Sequence, residues 1–447
     1  MQKSLIAVLM ASAFVTCNAH GADLIQVYQQ ALANDATYAS ARASLAAGQE
    51  RSVQGKAGLL PTVGLSGTIA RNDNNFSPFN EGQVVGNLPV GGGGQVLNTN
   101  SYTLSLQQPL FRWANWQSYQ QSKLQQAVTE AQFAQAQQDL ITRVAQAYFD
   151  VLAAQDTLEL TRTQKTATTE QLAMAKRNFE VGTQTITDTH EAQAAYDLVI
   201  SQEFAAINDL ENRRAALQAI IGTAPSALAT LKPGVALAAP QPGLIDPWVS
   251  SAESQNYGVV ASTLAYEIAK RDILRNRAGH YPTLDLVAST SHSKVGGQST
   301  QSGTSSGNSI GLQWSVPIFS GFAVTSRVRE SIALEDKARY DLESTRRNAA
   351  LSARQSFLGV NSGMAQVKAL EAAEVSSQSS LESNKLGYTV GVRINIDVLN
   401  AQRQLFLTRR DLSRARYDTI MNGLRLKSAS GSLREADLVP VNNLLQK

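Results

Sequence analysis

The chain has 447 residues, 43% of them hydrophobic and 17% charged, and its formal net charge is +3 at pH 7. A surplus this small, spread along the chain, excludes the basic footprint of a nucleic-acid-binding protein, so no nucleic acid is expected as a partner. The single cysteine, Cys17, falls inside a segment that we expect to be removed on export. The mature chain would then have no disulfide, thiolate metal site or cysteine nucleophile.

Residues 1–22 have the pattern of an export signal. Lys3 supplies a basic start, an apolar run extends from Leu5 to Val15, and small residues follow. We therefore predict a signal peptide over residues 1–22 and an exported protein. After this segment, the sequence contains no apolar run of the roughly 18 residues that a membrane-spanning helix requires.

The remainder of the sequence consists of two copies of one unit, shifted by about 200 residues. AGLLPT at residues 57–62 matches AGHYPT at residues 278–283, and NFEVGTQTITDTHEAQ at residues 178–193 matches GYTVGVRINIDVLNAQ at residues 387–402. The predicted units are repeat 1 (residues 23–222), a proline-containing linker (223–245), repeat 2 (246–431) and a C-terminal tail (432–447).

Each repeat begins with a helix and then two segments in which polar and apolar residues alternate, a period typical of half-buried strands. Each segment is about as long as a tilted strand that crosses a bilayer, although an ordinary β-sandwich face is the alternative. Aromatic residues near the segment ends suit an interfacial girdle: Phe111, Trp113, Trp116, Trp314 and Phe319. The predicted strands are residues 61–70, 101–111, 282–291 and 309–319, with loops at 71–100 and 292–308.

Long proline-free stretches follow the strands, with apolar spacings typical of coiled coils. One predicted helix, Trp113–Glu180, would be roughly 100 Å long, and shorter helices are predicted over residues 24–57 and 187–222. We interpret residues 181–187 and 390–396 as the tips of two helical hairpins. Gly182 and Gly391 suit a left-handed helix end, and Thr187 or Asn395 could cap the next helix.

Four strands from one chain cannot close a barrel, and an open sheet edge in lipid costs several kcal/mol for each unpaired backbone group. Closure therefore requires several chains: two would give eight strands, three twelve and four sixteen. The residues alone lead to an oligomeric pore.

Several segments resemble the TolC family of outer-membrane channels, and its TolC branch more than its lipoprotein branch: GADLIQVYQQAL, PTLDLVAST, SIGLQWSVPIF, GYTVGVRINIDVLNAQ and DLVPVNNLL. The resemblance implies an α+β membrane protein of the outer membrane. The expected fold is a homotrimer with a twelve-stranded β-barrel, four strands per chain, continued by a long α-helical coiled-coil barrel in the periplasm.

The resemblance also implies a function as the exit duct for multidrug efflux or type I protein secretion, gated at the periplasmic helix tips. Its implied partners are a periplasmic adaptor protein and an inner-membrane efflux pump or ABC exporter, with outer-membrane lipid around the barrel. The alternative is a non-porous structural or adhesive trimeric coiled coil at the cell surface.

In such channels, bonds between hairpins and between protomers hold the entrance shut. The resemblance assigns this role to four residues, hereafter the latch residues: Thr187, Asp188, Tyr388 and Arg393. The plainer alternative is that they only form hairpin turns. The family also carries two rings of aspartates at a periplasmic constriction. Asp397 occupies the position of the first ring, whereas Asn400 occupies that of the second. We therefore predict weaker cation selectivity and weaker block by trivalent cations than in a channel with two aspartate rings.

No catalytic motif is present, so we predict a protein that is not an enzyme and that has no cofactor and no metal site. The four histidines, including His190, have no metal-ligand spacing. A basic run on the last long helix is interpreted either as a solvated surface or as an adaptor-docking groove. It consists of Arg403, Arg409, Arg410, Arg414 and Arg416.

Overall fold

The computed structural model describes residues 21–76, 84–85, 88–89, 93–297 and 302–446. Nearly all of the predicted signal peptide, residues 1–20, lies outside the described residues. Within the described ranges, no helix combines the length and the apolar character needed to cross a membrane.

The helices are α1 (Leu24–Asn34), α2 (Ala36–Ala57), α3 (Trp113–Glu180), α4 (Ile186–Ile221), α5 (Ile245–Gln255), α6 (Tyr257–Arg277), α7 (Ala323–Thr389), α8 (Asn395–Ala429) and α9 (Leu438–Asn442). The strands are β1 (Thr62–Phe76), β2 (Val84–Val85), β3 (Leu88–Pro89), β4 (Gly93–Phe111), β5 (Thr283–Gly297) and β6 (Gly303–Ser315).

The order of these elements repeats along the chain. Two helices, two long strands, a very long helix and a returning helix occur first as α1, α2, β1, β4, α3 and α4, and then as α5, α6, β5, β6, α7 and α8. The paired helices are almost equal in length: α3 and α7 have 68 and 67 residues, and α4 and α8 have 36 and 35. The internal duplication expected from the sequence is confirmed, and α3 has the predicted bounds.

The chain divides into two compact units. One consists of residues 44–131 and 260–344, and contains the four long strands. The other consists of residues 1–43, 132–259 and 345–447, and contains both hairpin tips and the linker between the repeats.

The four long strands form one antiparallel sheet in the order β1-β4-β5-β6. Its register sorts polar and apolar residues into separate rows, because residues directly opposite each other share a face. One row contains Val63, Leu106, Ala288 and Ile310, and the next contains Gly64, Ser105, Ser289 and Ser309. The alternation predicted from the sequence is therefore continuous across both repeats. The large apolar residues Leu65, Ile69 and Ile310 are exposed, as are the outer edges of β1 and β6.

The predicted strand bounds need correction. β1 and β4 extend into the segment predicted as a loop at residues 71–100, and β5 and β6 extend into the one at 292–308. These extensions are rich in Asn, Ser, Thr and Gly, so their composition hid the backbone pairing. Conversely, β6 ends at Ser315 rather than at Phe319. Ser315 pairs with Thr283, the first residue of β5, so residues beyond Ser315 have no partner on that strand.

A partly buried ion pair connects the first repeat to the second at the base of the sheet. Asp285 of β5 is 4% exposed and accepts hydrogen bonds from Arg112, the residue between β4 and α3, through Nε at 2.8 Å and through Nη2. Gln107 of β4 donates to the same carboxylate at 3.4 Å. The Asp285 carboxylate is buried, but the Arg112 side chain is 36% exposed, so solvent screens the pair and it stabilises the sheet by less than a fully buried pair would.

The helix predicted over residues 24–57 is interrupted at Asp35. The Asp35 carboxylate accepts from the backbone N–H of Tyr38 at 2.6 Å and pairs with Arg143 of α3 at 3.1 Å. This cap begins α2 as a separate helix. Asn256 forms the matching break in the second repeat, where its amide accepts from the Gly258 N–H at 2.9 Å and donates to the Ala429 carbonyl at 3.0 Å.

The main apolar core surrounds the middle of α3. Tyr148, Phe149 and Leu152 are at most 1% exposed, and they pack with residues of α1, α4, α8 and the tail. The Tyr148 hydroxyl donates to the carbonyls of Ala229 at 2.7 Å and Ala22 at 3.1 Å. Burial raises the pKa of Tyr148. The linker and the tail are thus fixed to the helices, and Leu231 of the linker also forms a β-bridge with Leu445.

Candidate functional site at the two hairpin tips

The first tip is the turn between α3 and α4. Gly182 adopts a φ of 76°, as predicted, and Thr183 donates its N–H to the Asn178 carbonyl at 2.9 Å, which closes α3. Thr185 caps α4 through a reciprocal pair with Asp188. Asp188 Oδ2 accepts from the Thr185 N–H at 3.1 Å and from its hydroxyl at 2.8 Å. The predicted cap at Thr187 is wrong, because this capping box places the helix start at Ile186.

The second tip, between α7 and α8, has the same backbone and different side chains. Gly391 adopts a φ of 81°, again as predicted, but the cap residue is Ile394, which offers no hydroxyl. The Ile394 N–H reaches Asp397 Oδ2 only at 3.5 Å. Arg393 pairs with that same oxygen at 3.7 Å. The alternative cap predicted at Asn395 is therefore also wrong, since Asn395 is the first residue of α8.

Asn395 instead joins the two hairpins of the chain. Its side-chain oxygen accepts from Gln171 Nε2 of α3, and its amide nitrogen donates to the Asp188 carbonyl of α4 at 3.2 Å. Asn395 is fully buried and Gln171 is 6% exposed. The sequence reasoning missed this contact. Its only signal was a polar residue between Ile394 and Ile396 at a helix start.

Apolar side chains surround this polar contact. Leu172 and Ala175 of α3, Ala192 of α4 and Leu399 of α8 form a buried cluster there. A second cluster, Leu381, Val398 and Leu405, joins α7 to α8 within the second hairpin and packs against Tyr388. The tips are therefore packed against buried apolar clusters, rather than being loose turns.

The structure brings the four latch residues together only in part. Tyr388 meets the first hairpin, because its hydroxyl accepts from Asn178 Nδ2 at 3.3 Å. Asp188 is occupied by its own cap, and Arg393 pairs within its own hairpin. Thr187 is exposed, and no hydrogen bond of its side chain appears in the part of the chain that the structure describes. One chain alone does not connect Asp188 to Arg393.

The two residues of the predicted constriction lie one helical turn apart at the start of α8. The Asp397 side chain is 34% exposed. Asn400 is exposed, and its side-chain oxygen accepts from Arg403 Nη2 at 3.2 Å. Within the described ranges, no group of three or more His, Cys, Asp or Glu side chains could hold a metal ion.

A second polar contact joins the hairpins further along α3 and α8. Asp156 of α3 accepts from the hydroxyls of Tyr417, at 2.8 Å, and Ser413, both on α8. Burial, and then the nearby Asp156 carboxylate, raise the pKa of Tyr417. Between this contact and the tips lies a groove of about 650 Å³ between α3, α4 and α8. We call it the tip groove; its lining includes Thr161, Leu198, Asn400, Arg403, Phe406 and Arg410.

Most of the basic run on α8 is paired within the chain. Arg409 binds Glu374 at 2.9 Å and Arg416 binds Glu371 at 2.8 Å, both across to α7. Arg410 and Arg414 pair with acidic neighbours on α8 itself. Only Arg403 and Arg410 of this run line the tip groove.

These features define a class of protein. One part of the chain forms a four-stranded sheet with two unpaired edges and exposed apolar rows. Another forms two long helical hairpins that contact each other at their tips, and both features are those of one protomer of an outer-membrane channel. The chain belongs to the outer membrane efflux protein family, which matches residues 27–223 and 248–432, once in each repeat.

The chain is similar to individual members over almost its whole length. It is 33% identical to the outer membrane protein TolC of Escherichia coli over 436 residues, covering 95% of this chain and 85% of TolC. It is 32% identical to the alkaline protease secretion protein AprF of Pseudomonas aeruginosa over 420 residues, covering 93% of this chain and 85% of AprF. The crystal structure of the outer membrane protein VceC of Vibrio cholerae superposes with a TM-score of 0.76 at 19% identity, covering 91% of this chain and 96% of VceC.

The family membership confirms the predicted fold class, location and general function. Members are trimeric channels in which each chain adds four strands to a twelve-stranded barrel in the outer membrane, continued by a helical tunnel in the periplasm. The family is one of channels rather than enzymes, and its members work with efflux or secretion machinery as the exit duct. The alternative of a non-porous adhesive coiled coil is therefore rejected.

Proposed function

We propose that this channel is gated at its hairpin tips, and that Thr187, Asp188, Tyr388 and Arg393 form a latch that is completed between protomers of the trimer. The exposure of Arg393 supports the proposal. Its side chain is 58% exposed and holds Asp397 only at 3.7 Å, so an acceptor on a neighbouring protomer can compete for it. Thr187 and Asp188 lie at the start of α4, where Thr187 is exposed and the Asp188 carboxylate, although it accepts from Thr185, remains partly exposed.

The proposal is tested by single-channel conductance in planar bilayers. Arg393→Ser removes the cationic donor, and Tyr388→Phe removes the hydroxyl that Asn178 now contacts. Both variants are expected to raise the conductance, because fewer bonds then hold the tips together. Arg414→Ser is the matched control, since Arg414 is 78% exposed and its ion pair with Asp418, at 3.7 Å, lies within its own helix. Wild-type conductance in both test variants would refute the latch.

We further propose that a periplasmic adaptor protein docks in the tip groove and links the channel to an inner-membrane efflux pump or ABC exporter. The groove offers an apolar floor at Leu198 and Phe406 and two cations at Arg403 and Arg410. This surface suits an amphipathic helical hairpin with acidic side chains.

Charge reversal tests the docking surface. Arg403→Glu and Arg410→Glu are expected to reduce copurification of the adaptor, whereas Arg414→Glu, outside the groove lining, is expected to leave it at the wild-type level. Equal losses in all three variants would indicate general charge effects rather than docking. The identity of the copurified inner-membrane component distinguishes drug efflux from protein secretion.

One similar protein, AprF of Pseudomonas aeruginosa, is an alkaline protease secretion protein. We propose that the chain is a passive duct without a catalytic or cofactor site of its own, whose cargo is selected by the pump and the adaptor. Its own contribution to selectivity is the constriction at Asp397 and Asn400, where one carboxylate per protomer attracts cations.

A further inference from the structure

One face of the four-stranded sheet is apolar over most of its length and ends in two stacked rings. The row of Leu284 and Trp314 lies nearest the start of α3 and α7, and the row of Tyr102 and His292 lies eight residues further along β5. The rings of Tyr102 and His292 stack with their centroids 5.0 Å apart. The rows between carry exposed apolar side chains: Leu65, Leu104, Ile310 and Leu312.

This apolar stretch has the dimensions of a membrane-facing band. Eight residues extend for roughly 26 Å along a strand. At a strand tilt of about 40° this gives roughly 20 Å of height, which is most of the apolar band of an outer-membrane barrel. The two stacked rings therefore mark one limit of the apolar face.

A basic surface follows the rings on the same face. Lys294 of β5 lies opposite Asn100 of β4, and two residues further along the strands Asn98 of β4 lies opposite Arg71 of β1. Residues two apart on a strand point to the same face, so these four share the face of the apolar rows. All four are exposed, and neither cation forms an ion pair with another described residue. We call this surface the basic rim: Arg71, Asn98, Asn100 and Lys294.

The cation at the other end of the sheet is compensated within the chain. Arg112, next to the start of α3, donates to Asp285 through Nε at 2.8 Å. Members of the family place their helical tunnel in the periplasm, so the end of the sheet remote from α3 and α7 faces the outer leaflet. The basic rim lies at that end. Asp73, one row beyond Arg71 on the same face of β1, is exposed and ends the basic surface.

We propose that the basic rim binds the headgroup of an outer-leaflet glycolipid that carries one phosphate on each of two linked sugars. Cations at a membrane surface attract anionic lipid headgroups, and both Arg and Lys bind phosphate through charge-assisted hydrogen bonds. The acyl chains of the same lipid then lie against the apolar rows. The rim is thus a lipid-binding surface at the outer limit of the barrel.

The spacing of the rim selects this headgroup. Arg71 and Lys294 are separated by two strand spacings sideways and two residues lengthwise, or roughly 12 Å between Cα atoms. Phosphates at the two ends of a disaccharide can reach both cations at once. A headgroup with a single phosphate contacts only one of them. Asn98 and Asn100 belong to the strand between the cations, where their exposed amides can bond to sugar hydroxyls.

The test is native mass spectrometry of detergent-solubilised trimers of the full chain with three added lipids. They are a synthetic acylated disaccharide with two phosphates, its counterpart with one phosphate, and cardiolipin, whose two phosphates are joined by one glycerol. The lipid with two sugar phosphates is expected to bind about fivefold more tightly than either of the others, because it alone engages the second cation.

Charge-removing variants locate the site. Arg71→Gln and Lys294→Gln are each expected to weaken binding of the doubly phosphorylated glycolipid by about fivefold, and the double variant should bind the three lipids equally. A double variant of Lys56→Gln and Arg327→Gln is the control, since it removes two exposed cations from α2 and α7 and should keep the wild-type preference. Heat-resistant trimers on a gel confirm assembly of each variant.

Three results would overturn the proposal. Equal binding of the three lipids by the wild type would show that the rim does not recognise the phosphate spacing. A wild-type preference in the Arg71 and Lys294 double variant would place the lipid elsewhere on the protein. Displacement of the glycolipid by an equal concentration of inorganic phosphate would identify a site for the free ion rather than for a lipid headgroup.

Discussion

The two hairpin tips share a backbone and differ in how each uses its aspartate. Gly182 and Gly391 both adopt left-handed conformations, and an aspartate follows each at the third position of the next helix. In the first tip, Asp188 is held by the backbone and hydroxyl of Thr185. In the second, Asp397 has no cap hydroxyl to bind and forms a long ion pair with Arg393.

The difference shows how a duplicated turn can acquire a new role. Where the first tip has Thr185 at the cap position, the second has Ile394, and this single change removes the hydroxyl partner of the aspartate. Asp397 is therefore available to groups outside its own turn, while Asp188 mainly stabilises α4. The first tip is built for stability, and the second presents its charges to solvent.

The largest expected effect concerns the charge of the second tip. Asn400→Asp would add a carboxylate one turn from Asp397. We expect block by hexaamminecobalt(III) to tighten by at least about tenfold, because a trivalent cation gains roughly 1 kcal/mol or more from each added carboxylate even in water. Bilayer recordings at graded blocker concentrations measure the affinity.

Asn208→Asp is the control for this prediction, since it adds the same charge at an exposed position of α4, away from the second tip. Equal blocker affinities in wild type and Asn400→Asp would show that position 400 does not face the ion path.

Because the two tips share a backbone conformation, substitution of alanine for Gly182 or Gly391 should destabilise the two tips equally. An added Cβ at Gly182 or Gly391 would meet nothing within 4 Å, so alanine there is penalised only by the left-handed conformation, by about 1–2 kcal/mol. Amide hydrogen exchange at each tip should accelerate by a similar factor. Gly423→Ala, also in open space but within α8, should not accelerate it. Clearly unequal effects at the two tips would mean that one backbone is held by contacts the other lacks.

Substitutions at the two cap positions, Thr185 and Ile394, can give each tip the cap chemistry of the other. Thr185→Ala should destabilise the start of α4 by about 1 kcal/mol, through loss of the capping box. Ile394→Thr should stabilise the start of α8 by a similar amount, because Asp397 is already placed to complete the box. Hydrogen exchange of the Asp188 amide measures the effect of Thr185→Ala, and that of the Asp397 amide measures the effect of Ile394→Thr. If Ile394→Thr does not slow hydrogen exchange of the Asp397 amide, the added hydroxyl does not complete the capping box.

The smallest expected effect is a loss of stability of the first hairpin at acidic pH. Lys165 donates to Glu203 at 2.7 Å and Arg162 lies at 3.4 Å, which lowers the pKa of Glu203 below its ordinary value of 4.5. The lowered pKa stabilises the first hairpin fully above about pH 4.5, and this contribution is lost as the pH falls through the folded value. Exposed pairs contribute little, so the change in exchange should be small. Glu203→Gln should abolish it; an unchanged acid response in that variant would assign the effect to other carboxylates.

Regular patterns in the sequence predicted the parts of the fold that depend on local physics. The absence of proline and the coiled-coil spacing gave α3 its bounds, and the two glycines located both turns. The breaks at Asp35 and Asn256 could not be predicted, because each depends on a partner remote in sequence: Arg143 for Asp35 and the Ala429 carbonyl for Asn256.

The site was harder to predict than the fold for the same reason. The internal repeat marked Asp188 and Asp397, and the family resemblance added Arg393, but neither could show that Asp188 is bound to Thr185. Gln171 and Asn395 are far apart in sequence, and the polar contact between them exists only because the two hairpins pack together. The assignment of the latch to pairs between protomers stays a prediction.

The open edges of β1 and β6 have a consequence for biogenesis. A newly exported copy carries two unpaired strand edges and an apolar face. The single chain is therefore more prone to aggregate than the assembled channel. The single chain avoids misassociation by assembling with other copies of itself. The rate of this assembly rises with the concentration of the chain. The yield of channels should then fall more steeply than expression when expression is reduced, because dilute copies wait longer for the neighbours that complete their sheet.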